Sequence, residues 1–178
     1  LENTSDGEFE LGGGGGALRS VRGGIATLIG CVFAGNKSNV GNPGLENGVG
    51  GAMYVGCDEI ECDPEGMGEA HLFGCTLTGN LARTGGAIHA GGDLYLTGCT
   101  VAGNRAWLAN GGGTAGGIQS WHTSILDRTI VWGNCAESGL GSQIEVKQGQ
   151  TSLTCCATDP DGCIGVTYDG PQVFDDPI

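Results

Sequence analysis

Apolar and polar residues alternate along most of the chain in short stretches that glycine interrupts. Leu94 and Leu96 are separated by one residue, and after two intervening residues the same alternation resumes with Cys99 and Val101. A two-residue period is typical of β-strands, and a helical period does not compete with it. Gly-Gly and Gly-Asn pairs, where a positive φ costs little, end the stretches. The pattern predicts short strands joined by tight corners.

One pattern recurs and marks the chain as a repeat protein. The motif L-x-G-C-x-(apolar)-x-G-N occurs three times, and a fourth copy has Thr129 in the cysteine position; the copies lie at 28–36, 72–80, 96–104 and 126–134. A glycine-rich block precedes each copy, and a fifth unit begins at residue 141. The equivalent apolar residues of the blocks follow one another after 35, 35 and 30 residues: Leu18, Met53, Ile88 and Ile118. Because short strands at this period cannot bury their inner face alone, the units are predicted to stack as an all-β solenoid, a parallel β-helix of about five coils.

Two residue types occupy equivalent positions in successive units and are predicted to form columns. The cysteines are interpreted as small buried thiols, because metal ligands one coil apart on parallel strands would point the same way instead of converging. The asparagines are predicted to form a ladder, since stacked asparagines can pair their amides along the axis. The predicted column residues are Cys31, Cys75, Cys99, Cys156, Asn36, Asn80, Asn104 and Asn134.

The repeats resemble those of a group of bacterial proteins. Units such as GGAI…GCTVAGN and AGGI…RTIVWGN look like the right-handed β-helix repeats of pectin-lyase-like surface proteins, including the polymorphic outer-membrane protein family. The stretch TIVWGN…DGPQVFDDPI is similar to the last coils of large secreted β-helix proteins. The resemblance implies one right-handed solenoid domain, divided into a lead (1–11), repeat coils (12–156) and a C-terminal tail (157–178). It says little about activity, because that superfamily contains lyases, hydrolases, adhesins and passive stalks.

Composition and charge narrow the classes of partner. The 178 residues carry a formal net charge of -13 with only seven lysines and arginines, so phosphate backbones are repelled and a nucleic-acid partner is not expected. The sequence contains no apolar run long enough for a membrane span, so membrane insertion is not expected either. Apolar residues make up 39% of the chain, which is enough to bury a core.

Nine cysteines are many for a reducing compartment, and they favour a secreted or cell-surface, extracellular location. Cys57 and Cys62 bracket a short acidic loop and are predicted to form a disulfide. A second bridge is expected between Cys155 and either Cys163 or Cys135. The weak candidates for glycosylation, from two Asn-x-Ser/Thr triplets, are Asn3 and Asn36.

Acidic loops offer the strongest metal candidates, and no other cofactor is expected. The loop at 57–65 concentrates carboxylates, and the stretch DPDG at 159–162 has the oxygen spacing found in calcium loops without the remaining ligands. A solvated acidic loop is the simpler interpretation of each. The weak calcium candidates are Asp58, Glu59, Glu61, Asp63, Asp159 and Asp161.

The sequence predicts no catalytic residues. The enzymes that share the resemblance hold calcium or cleave glycosidic bonds with carboxylates at outward positions of adjacent coils. Outward positions beside the cysteine column are small, apolar or uncharged, as at Thr76, Thr100 and Ile130, and no registered carboxylates are expected. The three histidines occupy unrelated offsets, and His89 with Asp93 is interpreted as a surface pair rather than a general acid and base.

These observations favour a non-enzymatic, extracellular structural or adhesive module. A solenoid exposes strand edges at its ends unless they are capped, so the expected partners are other copies of the chain or adjoining β-helix coils, in a fibre or a larger surface protein. One alternative is a polysaccharide lyase or glycoside hydrolase of the pectin-lyase-like superfamily. A second alternative is a passive glycan-binding module that uses Trp121 and Trp132.

Overall fold

The fold is built from short strands, as the alternating pattern predicts. The computed structural model describes the backbone of residues 4–5 and all atoms of residues 14–38, 48–56, 67–107, 113–139 and 141–169, called the described residues below. Among the described residues there is no α-helix, and the helical element is a single 3-10 turn, Pro160–Gly162. Nothing helical in these ranges is long and apolar enough to cross a membrane.

Each complete coil of the solenoid contains four strands in the same order. A short strand, β1 (Thr4–Ser5), precedes the first coil. The first coil contains β2 (Leu18–Ser20), β3 (Ile25–Ile29), β4 (Val32–Ala34) and β5 (Lys37–Ser38). The second coil contains β6 (Met53–Val55), β7 (Glu69–Phe73), β8 (Thr76–Thr78) and β9 (Leu81–Ala82). The third coil contains β10 (Ile88–Ala90), β11 (Asp93–Thr97), β12 (Thr100–Ala102) and β13 (Arg105–Ala106).

The later coils follow the same plan, with fewer strands in the last two among the described residues. The fourth coil contains β14 (Ile118–Ser120), β15 (Ser124–Asp127), β16 (Ile130–Trp132) and β17 (Cys135–Ala136). The fifth contains β18 (Ile144–Val146), β19 (Thr151–Thr154) and β20 (Ala157–Thr158), and the 3-10 turn follows it. A partial sixth coil contains β21 (Cys163–Ile164) and β22 (Val166–Asp169).

Equivalent strands pair in parallel and form four sheets along the solenoid axis. In stacking order, sheet 1 is β2-β6-β10-β14-β18-β21, sheet 2 is β3-β7-β11-β15-β19-β22, sheet 3 is β4-β8-β12-β16-β20 and sheet 4 is β1-β5-β9-β13-β17. This order confirms the predicted parallel β-helix. The predicted lead contributes β1 to the solenoid, and the predicted tail contributes β20, β21 and β22, so strands extend beyond the predicted coil boundaries.

In-register pairing places like residues on like residues and produces the core. Ile88 pairs with Met53 of the preceding coil and with Ile118 of the following one, and Leu96 pairs with Leu72. All five side chains are fully buried. Since each buried side chain of this size stabilises the fold by about 1.5–3 kcal/mol, the central coils hold most of the apolar stabilisation.

The two glycines that begin each unit serve different purposes at one corner. The first has a positive φ, +64° at Gly50 and +60° at Gly85, which favours glycine. The second lies where backbones of neighbouring coils approach most closely: a Cβ on Gly86 would be 2.2 Å from the carbonyl oxygen of Gly116. Ala115 replaces the first glycine in the fourth unit, at a φ of 57°. The Gly-Gly pair therefore sets both the turn and the spacing between coils.

The corner between sheets 2 and 3 also requires a positive φ, but later coils use other residues there. Gly74 and Gly98 have φ values of +58° and +61°, and a Cβ on either would meet no described atom within 4 Å. Arg128 and Cys155 take the equivalent positions, at φ values of 49° and 52°. Because there is room for a side chain, the cost at these two residues is backbone strain of roughly 1–2 kcal/mol each.

The motif cysteines point into the core. Cys75, Cys99 and Cys156 are buried, whereas Cys31 in the first coil is half-buried. The backbone amide of Cys31 lies 3.4 Å from the Cys75 sulfur, and Thr129, which replaces cysteine in the fourth coil, accepts from the Cys99 amide at 3.3 Å. Burial raises the pKa of the Cys75, Cys99 and Cys156 thiols, so these three are protonated, unreactive core groups at neutral pH.

The motif asparagines form a continuous hydrogen-bonded ladder. The backbone N and side-chain Nδ2 of Asn80 both donate to Oδ1 of Asn104, at 3.0 and 2.8 Å. Those of Asn104 donate to Oδ1 of Asn134, at 3.0 and 2.9 Å, and Asn104 Nδ2 also donates to the carbonyl oxygen of Leu77 at 2.9 Å. Gln143, which the sequence pattern did not indicate, continues the ladder: its Oε1 accepts from Asn134 N at 3.2 Å and Nδ2 at 2.8 Å.

Asn36 belongs to this ladder, which corrects one prediction. It is fully buried, and its backbone N and Nδ2 each donate to Asn80 Oδ1 at 2.9 Å. A buried side-chain amide engaged in a hydrogen bond cannot carry a glycan in the folded protein, so the predicted glycosylation of Asn36 is wrong. The other candidate, Asn3, lies outside the described residues.

The ladder makes Asn104 a position where a small truncation is costly. Asn104→Ala removes the acceptor that the backbone N and Nδ2 of Asn80 share and leaves these buried donors without it, so the free energy of unfolding should fall by about 3 kcal/mol or more. Urea denaturation measures it. Thr100→Ala, an outward substitution in the same coil, is the control and should cost under about 0.5 kcal/mol. Equal losses in the two variants would contradict the assigned role of the ladder.

Arg128 offers the opposite test, because its backbone is strained. Arg128→Gly should raise the free energy of unfolding by about 1 kcal/mol, since glycine adopts the positive φ without strain. The exposed ion pair of Arg128 with Asp127 is worth little against this gain. Arg105→Gly, within strand β13, is the matched control and should lower stability in the same denaturation assay. A loss of stability in Arg128→Gly would refute the strain assignment.

Candidate functional site

One column of outward side chains on sheet 1 is polar and partly buried. The middle residue of each strand points outward, and in-register pairing brings these residues together at the spacing of the coils. The first contact in the column is a cation–π interaction, with the guanidinium 5.2 Å from the tyrosine ring centroid. The polar column consists of Arg19, Tyr54, His89, Gln119 and Glu145.

His89 is the most perturbed group in the polar column. Its ring stacks on Tyr54 with centroids 5.5 Å apart and an interplanar angle of 12°. Its Nδ1 has no solvent contact and, among the described residues, no hydrogen-bond partner. Burial lowers the pKa of His89 to about 4, although a hydrogen bond with Gln119 acts in the opposite direction. His89 is therefore neutral at pH 7, with a pKa too low for general-base catalysis at that pH.

Glu145 lies at the other end of the polar column and is ionised and well paired. Gln119 Nε2 donates to Glu145 Oε2 at 3.0 Å and to Thr114 Oγ1 at 3.2 Å. The Lys147 ammonium lies 2.6 Å from Glu145 Oε1. Burial alone raises the pKa of Glu145, but the hydrogen bonds from Lys147, Gln119 and Thr114 outweigh it and lower the pKa. The carboxylate is thus fixed in place by its neighbours.

Sheet 2 carries two carboxylates in register, which corrects the expectation that none would be. Glu69 on β7 and Asp93 on β11 are direct partners in the parallel ladder and point outward. Each contacts a histidine: His71 Nε2 is 2.5 Å from Glu69 Oε1, and His122 Nδ1 is 2.5 Å from Asp93 Oδ1. The expectation rested on the strands that follow the cysteines, which form sheet 3, whereas these carboxylates lie on strands that precede them.

The histidine contacts also correct the predicted pair of His89 and Asp93. The two residues flank the Gly91-Gly92 corner, so one projects from sheet 1 and the other from sheet 2. Asp93 instead contacts His122 of the following coil. A neighbouring aromatic residue, Tyr95, stacks on His71 with ring centroids 4.6 Å apart. Burial raises the pKa of Tyr95, and the charges of Asp93 and Glu69 add to that shift.

Trp121 lies at the corner where these two polar surfaces meet. Its indole Nε1 donates to Gln119 Oε1 at 3.2 Å, and the residue is 43% exposed. The next residue is His122, which contacts Asp93. Trp132, the other tryptophan considered for glycan contact, lies in β16 on sheet 3. The two tryptophans therefore belong to different faces, and Trp121 is the one beside the polar groups.

The described calcium candidates serve a structural purpose. Asp159 caps the 3-10 turn, with its Oδ1 accepting from the Asp161 amide at 3.1 Å. Among the described residues, no group of three or more histidine, cysteine, aspartate or glutamate side chains converges as a metal site. The candidates that lie outside the described residues are Asp58, Glu59, Glu61 and Asp63.

The described cysteines outside the core column carry no disulfide. Cys135 and Cys155 are exposed thiols, and Cys163 lies 3.3 Å from Thr158 Oγ1. The predicted bridges from Cys155 to Cys163 or Cys135 are therefore not formed in the structure. Cys57 and Cys62 lie outside the described residues, and their pairing stays a prediction.

The neutral His89 permits a test of its burial. Its pKa is about 4 in the folded chain and near 6.5 unfolded, so the stability that it contributes is complete above pH 6.5. That stability is lost as the pH falls from 6.5 to 4, by about 3 kcal/mol in total. Urea unfolding across this range should show the loss in the parent and a smaller loss in His89→Gln. Thr100→Ala, which removes no titratable group, should keep the parent's dependence; if His89→Gln keeps it too, the assignment fails.

Comparison with known proteins returns no match: no protein-family model fits the chain, and neither a curated protein nor a solved structure is significantly similar to it. The resemblance to bacterial surface repeats is thus carried by the repeated motifs themselves. What the structure adds to the motifs is the architecture, four parallel sheets of stacked strands.

Proposed function

We propose that the protein is a non-enzymatic structural module of an extracellular or cell-surface assembly, which is extended by further parallel β-helix coils at its first coil. The observation that carries this proposal is the open end of the solenoid. Strands β2, β3 and β4 are the edge strands of sheets 1, 2 and 3 among the described residues. The nine cysteines and the resemblance to secreted repeat proteins support the location.

Among the described residues, no further layer covers the core at this end. Leu28 and Phe33 point inward in the first coil but are only half-buried, whereas their equivalents one coil later, Leu72 and Leu77, are fully buried. The same difference separates Cys31 from Cys75. Another coil stacked on the first would bury this layer and gain hydrophobic stabilisation.

Three outward side chains of the first coil are unusually exposed for apolar residues. Ile25, Ile29 and Val32 are 67%, 75% and 61% exposed, and they are the three most exposed large hydrophobic residues described. The equivalent of Ile25 in the next coil is Glu69. Exposed apolar side chains along a strand edge are typical of surfaces that pair with another chain.

The backbone of β3 offers a row of hydrogen-bonding groups to a new strand. Gly30 N donates to the Phe73 carbonyl at 2.8 Å, and the Gly24 carbonyl accepts from Glu69 N at 2.9 Å. Bonding to the two sides of a strand alternates along it, so the amides of Ile25, Thr27 and Ile29 point away from β7. These three N–H groups can pair with a strand on the open side.

A parallel coil fits this end better than a single strand does. In sheet 4, β1 already adds a strand to the first coil, with Thr4 opposite Lys37 and Ser5 opposite Ser38. An isolated peptide strand could pair with one of the remaining sheets. A coil would pair with sheets 1, 2 and 3 together and cover the inward layer, as each described coil does for its neighbour.

A coil added by design tests whether this end accepts one. A copy of residues 84–107 inserted before Gly14 adds one coil with the 24-residue spacing that separates Asn80 from Asn104, and its first residue, Thr84, is equivalent to Gly14 at the corner. Hydrogen exchange should show strong new protection at the Ile25, Thr27 and Ile29 amides. The free energy of unfolding should rise by about 2 kcal/mol or more.

The matched control is the same insertion with lysine at the copied positions of Leu94 and Leu96, the inward residues of β11. It should leave the three amides unprotected and the stability unchanged. If the apolar insertion also fails to protect them, the first coil does not accept a parallel coil and the proposed function is refuted.

A further inference from the structure

Trp121 is fixed in a position suited to contact with a ligand. Its Nε1–H bond to Gln119 holds the indole plane, and its backbone N donates to the Ala90 carbonyl at 2.7 Å. Gln119 in turn donates to Glu145 and Thr114. An aromatic ring that is held by such a chain of hydrogen bonds loses little conformational freedom when a ligand binds, so less binding free energy is lost.

The preceding coil leaves space beside the indole. Ser120 pairs with Ala90, and Ala90 pairs with Val55, so the residues that follow them occupy equivalent corner positions. In the two preceding coils these are Gly91 and Gly56. A Cβ on Gly91 would meet atoms only at 3.5 Å or beyond, so the position next to Trp121 is open, whereas the Tyr54 ring fills the space at Gly56. The result is a shelf with an aromatic end and a glycine floor.

Polar groups of sheet 2 border this shelf. On sheet 2, Asp93 uses Oδ1 for His122, and its Oδ2 can accept a further hydrogen bond. On sheet 1, Gln119 and Glu145 are buried and use their polar atoms on Thr114, Lys147, Trp121 and each other, so they hold the indole and do not contact the ligand. A flat aromatic face with polar groups at its margin matches a sugar ring, which has C–H bonds on its faces and hydroxyl groups at its edge.

We infer that this corner, formed by Trp121, Gly91, Asp93 and His122, binds an uncharged oligosaccharide, with a sugar ring lying on the indole. The ligand is uncharged because the chain's net charge of -13 and the carboxylates of Asp93 and Glu69 repel uronates. Because the shelf is formed by sheets 1 and 2 of the central coils, this inference does not depend on how the ends of the solenoid are covered.

A binding screen tests the inference on the full chain. A panel of neutral oligosaccharides (β-glucan, xylan, mannan and N-acetylglucosamine oligomers) and oligogalacturonate, each with and without calcium, would be titrated by calorimetry. At least one neutral oligosaccharide should bind without calcium and without being cleaved. Trp121→Ala should weaken that binding about tenfold or more, as expected for an aromatic contact residue.

Trp132→Ala, an equal truncation on sheet 3, is the matched control and should leave the affinity unchanged. Trp121→Phe retains a ring but loses the bond to Gln119, so it should bind with intermediate affinity and keeps the test informative if the alanine variant misfolds. The inference is overturned by an affinity that Trp121→Ala does not change, by no binding across the panel, or by calcium-dependent binding of oligogalacturonate alone.

Discussion

The backbone and side-chain amides of each ladder asparagine donate to one oxygen atom on the next coil, and this contact repeats from Asn36 to Asn134. It can form only if successive coils are in register, because a shift of one residue would turn the asparagine toward the other face. In-register stacking then determines the rest of the fold. It places Ile88 between Met53 and Ile118, and it requires glycine at positions such as Gly86, where backbones nearly touch.

The same constraint organises the outer surface. Residues that point outward at equivalent positions must lie next to one another along the axis, so any polar group there acquires a neighbour from the coils on either side. His89 becomes buried partly by this route, since Tyr54 stacks on one side of it and Gln119 lies on the other. The Glu69 and Asp93 carboxylates are brought into register in the same way, and each contacts a histidine.

The sequence predicts the stacking of the coils well and the contacts between side chains on the outer surface poorly. The period of two, the glycine corners and the columns of cysteine and asparagine follow from local patterns that repeat, and repetition reveals which residues share a position. Contacts between different columns do not repeat. The bond from Asn134 to Gln143, the approach of His122 to Asp93 and the bond from Trp121 to Gln119 each occur once among the described residues. They depend on corner geometry between sheets, which a motif comparison within one sheet does not contain.

The first coil shows most clearly how surface and assembly are connected. In one column of sheet 2 the outward residues run from Ile25 through Glu69 to Asp93, a change from an exposed apolar side chain to two paired carboxylates. A solenoid that ended in water at β3 would gain from a charged residue at that edge, because charge prevents pairing with other strands. Ile25 and Ile29 are uncharged and favour such pairing. Glu69 and Asp93, which would suit a solvent-exposed edge, thus lie on the second and third coils, whereas the two isoleucines, which would suit an internal coil, lie on the first.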